Sequence, residues 1–262
     1  VTHDETVGRQ YIFSSFSGDR DDNDVSGSLS VFDGVEPIGT DMLGFAQSIV
    51  PVVVSAVVYG ADNENATQSL SLQINGDNGS DSGLKTTDGK SIVLSLEAGI
   101  VVGRVGDLAG QAAFAVSLGQ DGKVSIAQYI SLKHPLGGSS YDEAVTLAGK
   151  INAVVTALDG DGDKAVDQVA IGHVVRFEDD GPKATIDITR TKVVEDESAG
   201  VQIDNDDTVD ASVSALFAGV VNAGGDLSSP SFAQSSSAIV TTTYSYGQDE
   251  EGATKLLDLA VT

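Results

Sequence analysis

The amino-acid sequence predicts an all-β fold, with β-sandwich modules in tandem and one short helix. Short Val-, Ile-, Leu- and Ala-rich runs alternate with clusters of Gly, Asp, Asn and Ser, the pattern of strands joined by turns. Aromatic residues make up only 5% of the chain and tryptophan is absent, so the core must be filled by aliphatic side chains. A long internal repeat then divides the 262 residues into a complete module and part of a second.

In chain order, strands are predicted at residues 51–59, 69–74, 91–96, 113–118 and 124–130, each apolar or alternating. Gln120-Asp121-Gly122-Lys123 carries the Asp-Gly signature of a hairpin turn between the last two. Residues 141–149 read as a short helix, because Ala144, Leu147 and Ala148 fall on one face at helical spacing. Strands at 151–158, 165–171 and 173–177 complete the module. The run 165–171 alternates, with Val166, Gln168 and Ala170 opposite Ala165, Asp167, Val169 and Ile171.

The repeat is read from separated matches. Tyr59-Gly60-Ala61-Asp62 corresponds to Tyr246-Gly247-Gln248-Asp249, and Phe45-Ala46-Gln47-Ser48 to Phe232-Ala233-Gln234-Ser235, all at an offset of 187 residues. Asp4-Glu5-Thr6 corresponds to Asp196-Glu197-Ser198 at an offset of 192, so the first copy is five residues longer in between. Residues 1–182 are therefore expected to form one complete module, and residues 183–262 the start of a related one. Phe177-Glu178-Asp179-Asp180-Gly181-Pro182, an acidic turn closed by Gly-Pro, marks the boundary.

Charge excludes several functions. Asp and Glu total 39 against 14 Lys and Arg, a formal net charge of −25, which repels nucleic acid and anionic membranes. Without cysteine there is no disulfide, thiolate metal site or cysteine nucleophile. The longest apolar run, residues 49–58 interrupted by Pro51, is too short to span a bilayer. No signal peptide is recognisable at residue 1, as expected of an internal fragment or of a protein whose export signal lies elsewhere.

The acids gather in Gly-containing turns, where oxygen ligands of a hard divalent cation belong. Asp159, Asp161 and Asp163 stand at i, i+2 and i+4 in Asp159-Gly160-Asp161-Gly162-Asp163, so three carboxylates can converge on one calcium ion. The loop is not an EF-hand, since Lys164 and Ala170 occupy the places of its invariant Gly and bidentate Glu. Glu178, Asp179 and Asp180, together with Asp4 and Glu5 or their counterparts Asp196 and Glu197, form a second candidate set, placed to stiffen a joint between modules. The cofactor expected is Ca2+, several ions per chain. The alternative reading of each cluster is a solvated polar turn.

Catalysis is not expected. His3, His134 and His173 have no metal-binding spacing, Gly-x-Ser-x-Gly is absent, and no acid pair stands apart as a hydrolytic dyad. His134-Pro135 reads as a turn and His173 as a strand residue.

Asp196-Glu197-Ser198, Gln128-Tyr129 followed by His134-Pro135, the Asp159–163 bend and the 177–182 turn together resemble the modules of giant repeats-in-toxin (RTX) adhesins, exported by type I secretion systems of Gram-negative bacteria. The resemblance implies an extracellular β-sandwich that needs calcium to fold and is displayed on the cell surface. It implies either a module that binds a peptide, protein or glycan of a host or neighbouring cell, or a structural extender with no ligand of its own. In both cases the constant partners are neighbouring modules of the same chain. The extra residues of the first copy fall around Asp19-Arg20-Asp21-Asp22-Asn23-Asp24, where a basic side chain sits within acids. Asp19, Arg20, Asp21, Asp22 and Asp24 are accordingly the expected ligand-binding residues, with Arg20 suited to a peptide C-terminal carboxylate.

Overall fold

The computed structural model describes residues 1–6, 22–36, 38–39, 42–136, 143–196, 198, 200–203, 205–220, 232–248 and 252–261. The chain is all-β and divides into two compact units, Lys183–Ser245 and a larger one made of Val1–Pro182 with Tyr246–Thr262.

The larger unit contains β1 (Thr2–Asp4), β2 (Asp24–Val25), β3 (Gly44–Gln47), β4 (Thr67–Ile74), β5 (Ser80–Lys85), β6 (Ser91–Glu97), β7 (Ile100–Val105), β8 (Ala112–Leu118), β9 (Val124–Gln128), β10 (Val145–Thr146), β11 (Ile151–Leu158), β12 (Lys164–Ala170) and β13 (Arg176–Glu178). Among the described residues, seven strands form one antiparallel sheet in the order β2-β3-β9-β8-β7-β6-β5. A second sheet, β12-β11-β4, packs over it, and β1-β13-β10 closes the end.

The sequence explains this layering. β4 alternates so that Leu70, Leu72 and Ile74 are buried, and they meet Ile92, Leu94, Val101, Val116 and Ile126 of the large sheet in the main core. Phe114 lies at the centre of that core, its ring 5.0 Å from Phe177 of β13. β8, Ala112-Ala113-Phe114-Ala115-Val116-Ser117-Leu118, is buried on both faces because a smaller cluster of Phe32, Val35, Phe45 and Tyr129 covers the opposite side. Burial of this apolar surface is the main source of stability. The β8–β9 hairpin turns at Gly122, whose φ of +79° glycine adopts without strain. Next to it the Gln120 amide exchanges two hydrogen bonds with the backbone of Leu70, at 2.9 and 2.8 Å, and so ties one sheet to the other.

Several expectations are corrected. Residues 51–59 form no strand; Val52 and Val53 donate to the Gly122 carbonyl, and the run continues without a ladder partner among the described residues. Residues 143–149 are not helical, since Val145 and Thr146 of β10 pair with Phe177 and Arg176 of β13; Leu147 is buried in the core, Val145 packs half-buried against it, and Ala148 is exposed (141 and 142 lie outside the described residues). His173 belongs to a single 3₁₀ turn, Gly172–Val174, ahead of β13. β12 is exposed on both faces, so its alternation marks an edge strand and not a half-buried one.

In the smaller unit, β14 (Lys183–Ile188) pairs with β17 (Val240–Ser245), β15 (Asp207–Thr208) pairs with β16 (Phe232–Ala233), and α1 (Ala211–Leu216) is capped by Asp210. The unit repeats the opening of the first in hydrogen-bonding detail. Asp24 faces Ala46 as Asp207 faces Ala233. Asn23 accepts from Gln47 and Asp206 from Gln234, both backbone to backbone at 3.0 Å. The Asp24 carboxylate accepts the N–H of Asp4, and that of Asp207 the N–H of Asp196. Phe32 stacks on Phe45 as Phe217 stacks on Phe232.

With Asp24 and Asp207 equivalent, the five-residue difference resolves into two. The first copy spans 20 positions from Asp4 to Asp24 against 11 from Asp196 to Asp207, and 21 from Asp24 to Phe45 against 25 from Asp207 to Phe232. Residues 246–262 group with the larger unit and not with the smaller one. Their counterparts, residues 59–75, include β4, which pairs with β11.

Phe114→Ala is expected to cost about 3–5 kcal/mol by denaturant unfolding, from lost burial and the cavity left under Phe177. A loss below about 1 kcal/mol would mean that the ring does not hold the two sheets and β13 together.

Candidate metal centres

Parallel pairing of β1 with β13 builds the first centre. His3 lies opposite Phe177 and Asp4 opposite Glu178, and the Glu5 N–H donates to the Glu178 carbonyl at 3.1 Å. The first and last strands of the module are thereby adjacent, and the acids that follow each one meet. One carboxylate oxygen from each of Glu5, Asp179 and Asp180 lies within 4.8 Å of the other two. Two oxygens bound to one calcium at about 2.4 Å are at most about 4.8 Å apart, so the three fit a single ion. The ligand set is all oxygen, which suits calcium or magnesium better than zinc.

This end of the module is densely acidic and largely buried. Glu5 is 1% exposed, Glu178 2%, Asp22 4%, Asp24 7% and Asp180 8%. Glu5 accepts from the Gln128 amide and from the Leu132 N–H, at 2.9 Å for the latter. Arg176 pairs with Glu178 at 2.9 Å. Asp180 accepts the N–H of Gln248 at 2.9 Å, where Gly247 adopts φ +77° and leaves room for the carboxylate that a Cβ would strike. Carboxylates gathered in low dielectric repel one another unless cations compensate them. His3, beside them, supplies no compensation in its neutral form: burial pushes its pKa down to about 4.

The second centre is the β11–β12 hairpin loop. One oxygen from each of Asp159, Asp161 and Asp163 lies within 4.8 Å of the others. Asp159 also builds the turn, accepting from Gly162 N at 3.1 Å and Asp163 N at 2.8 Å. Gly160 is required because a Cβ there would strike the Glu64 carbonyl oxygen and crowd that of Asp62, and its N–H donates to the Asp62 carbonyl at 2.8 Å. The hydrogen bond with Asp159 and repulsion from Asp159 and Asp163 raise the Asp161 pKa above the usual carboxylate value, while the same hydrogen bond lowers that of Asp159. A cation would reverse the effect on Asp161.

The expected sites are therefore distributed as follows. Asp159, Asp161 and Asp163 converge, as do Glu5, Asp179 and Asp180. Asp4 and Glu178 are positioned by the β1–β13 ladder beside the second group. Asp196 repeats the role of Asp4 in the smaller unit, its carboxylate accepting from Ser198, which lowers its pKa; Glu197 lies outside the described residues. Asp19, Arg20 and Asp21 also lie outside them. Asp22 and Asp24 are buried, and Asp24 is a strand residue, so neither is presented on an exposed loop. Beside Asp4 and Asp24 a groove of about 420 Å³ is lined by Val25, Met42, Leu43 and Phe45, a concavity with no clear signal in the sequence.

Glu5→Gln keeps an oxygen for Gln128 and Leu132 but removes a charge. It is expected to raise the melting temperature in chelator and to shrink the gain on adding millimolar calcium. A parent chain that melts identically with calcium and with chelator would show that neither cluster holds an ion. Asp161→Asn should remove one ion from the titrated stoichiometry, and because Asp161 must lose its proton to bind, affinity at the bend should rise with pH through the carboxylate range. A pH-independent affinity would place the ion elsewhere.

No curated protein and no solved structure matches the chain. The model of one family, described as Domain of unknown function (DUF5801), matches residues 1–172, which run from β1 to the turn that precedes β13. The chain belongs to that family.

Proposed function

We propose that the protein is a secreted, calcium-dependent adhesion module of a bacterial cell-surface protein of the RTX type, non-enzymatic, that binds a short extracellular ligand. The carrying observation is the convergence of Glu5, Asp179 and Asp180 at a buried end already crowded with acids, an arrangement that calls for a cation. An ion there has a direct energetic consequence: ligation only in the folded state adds RT ln(1 + [L]/Kd), about 4 kcal/mol at a thousandfold excess over Kd. In a cysteine-free chain this takes the place of a disulfide staple.

The ligand site is the groove beside Asp4 and Asp24. Its apolar wall of Val25, Met42 and Phe45 suits a side chain, and its acidic wall suits a ligand carboxylate only through a bound cation. A peptide C-terminus, free on a host or neighbouring cell, has that chemistry. The second reading, a structural extender, is favoured by the recurrence of one hydrogen-bond set in both units, as expected of modules whose task is to repeat.

A library of peptide C-termini and glycans screened on the full chain decides between them. Binding should require calcium, weaken strongly when the peptide is amidated, and fall with Met42→Glu at unchanged melting temperature. Binding that survives amidation would remove the carboxylate from the mechanism. A calcium-stabilised chain with no ligand in the screen would be an extender.

A further inference from the structure

We propose that residues 53–61 form a docking edge for the closing segment of another module of the same kind, an Asp-Asp-Gly-Pro turn followed by a strand. The inference stands apart from calcium and ligand binding, because it rests on the repeat. At the offset of 187, residues 53–58 correspond to β17, and β17 is a paired strand: Val240 to Ser245 face Ile188 to Lys183 of β14 in continuous antiparallel register. Residues 53–58 have the sequence Val-Val-Ser-Ala-Val-Val, four of the six β-branched, yet they join no ladder among the described residues. Val54 is 88% exposed and Val58 93%. A bare β-branched edge of this kind is a template for another strand.

The adjoining turn repeats as well. Gly60 and Gly247 both adopt a left-handed conformation, at φ +74° and +77°. Beside Gly247 stands the Asp180 carboxylate, accepting the N–H of Gln248; around Gly60 a Cβ would meet nothing within 4 Å. The counterpart of Gln248 is Ala61, whose N–H occupies the same place in the turn. Among the described residues, strand edge and turn thus lack the same two neighbours, which in the second copy are close in sequence: Asp180 and, from Lys183, β14. The occupant that satisfies both is a segment with the chemistry of residues 179–188.

The register identifies the atoms. Thr189 N–H donates to the Ile239 carbonyl at 2.8 Å, so 189–239 is a hydrogen-bonded pair, as is every second pair from it, including Thr185–Thr243. Ala56 is the counterpart of Thr243, and its N–H is therefore a central donor to the docking strand.

The test adds a synthetic peptide carrying residues 177–190 to the full chain and maps amide hydrogen exchange. Saturable protection of residues 53–61 is expected, absent with a scrambled peptide and lost in Ala56→Pro, whose exposed position leaves the melting temperature near that of the parent. No protection at millimolar peptide, protection of 240–245 instead, or undiminished binding to Ala56→Pro would each overturn the proposal. So would a chain that dimerises by itself through protected residues 53–58 and ignores the peptide, since the edge would then pair with its own copy. The exchange map decides the matter even if the proline variant proves unstable.

Discussion

The pairing of β1 with β13 is the contact on which the rest of the larger unit depends. It joins residues some 170 positions apart, so the contacts that close it must offset a large loop-closure entropy. What holds β13 in place is apolar: Phe177 is fully buried against Phe114, the same ring that anchors the middle of the large sheet. The core therefore delivers the acids of β13 to those after β1. Their mutual repulsion opposes closure, and a cation held at that point would offset it. Folding and ion binding would then be one equilibrium at this end.

The hairpin centre obeys different physics. Its aspartates stand in water, where like-charge repulsion is screened and costs little, and Asp159 already earns its position by closing the turn. An ion there would stiffen a loop whose turn Asp159 already closes. At the buried centre the carboxylates are desolvated, so an ion bound there would act on the closure of the whole unit. Similar runs of acids in the sequence thus carry unequal weight, and burial decides the difference.

Burial was the part least legible in the sequence. Uninterrupted apolar runs gave β8, β9 and β11 closely, because side-chain period and hairpin chemistry are local. β5, Ser80-Asp81-Ser82-Gly83-Leu84-Lys85, was missed because an edge strand with a bulge carries almost no apolar period. Residues 51–59 misled in the opposite sense: propensity was read correctly, but a strand also needs a neighbour. Ala144, Leu147 and Ala148 share a helical face only by spacing, and pairing of Val145 and Thr146 with β13 overrode it. The aspartate bend was visible as a motif. The Glu5–Asp179–Asp180 group was visible only as two acidic patches, since nothing local says that the strands before them run side by side. Asp22 and Asp24 look like loop acids for the same reason.

The two copies show which features the fold constrains. Asn23 and Asp206 differ in charge, yet each turns a side-chain oxygen to the backbone N–H two residues before the repeated aspartate, Thr2 in one unit and Val194 in the other. The frame therefore requires an acceptor at that position and is indifferent to its charge. Asp24 and Asp207 keep the carboxylate that receives Asp4 and Asp196, and the two phenylalanine stacks keep the same packing. Chain length, by contrast, changes by nine residues between Asp4 and Asp24 and by four between Asp24 and Phe45 while every one of these contacts persists. Loop-closure entropy rises only with the logarithm of length, so such changes cost little once the ends are pinned. The hydrogen-bonded frame pins those ends, which frees the intervening sequence to diverge in length and composition.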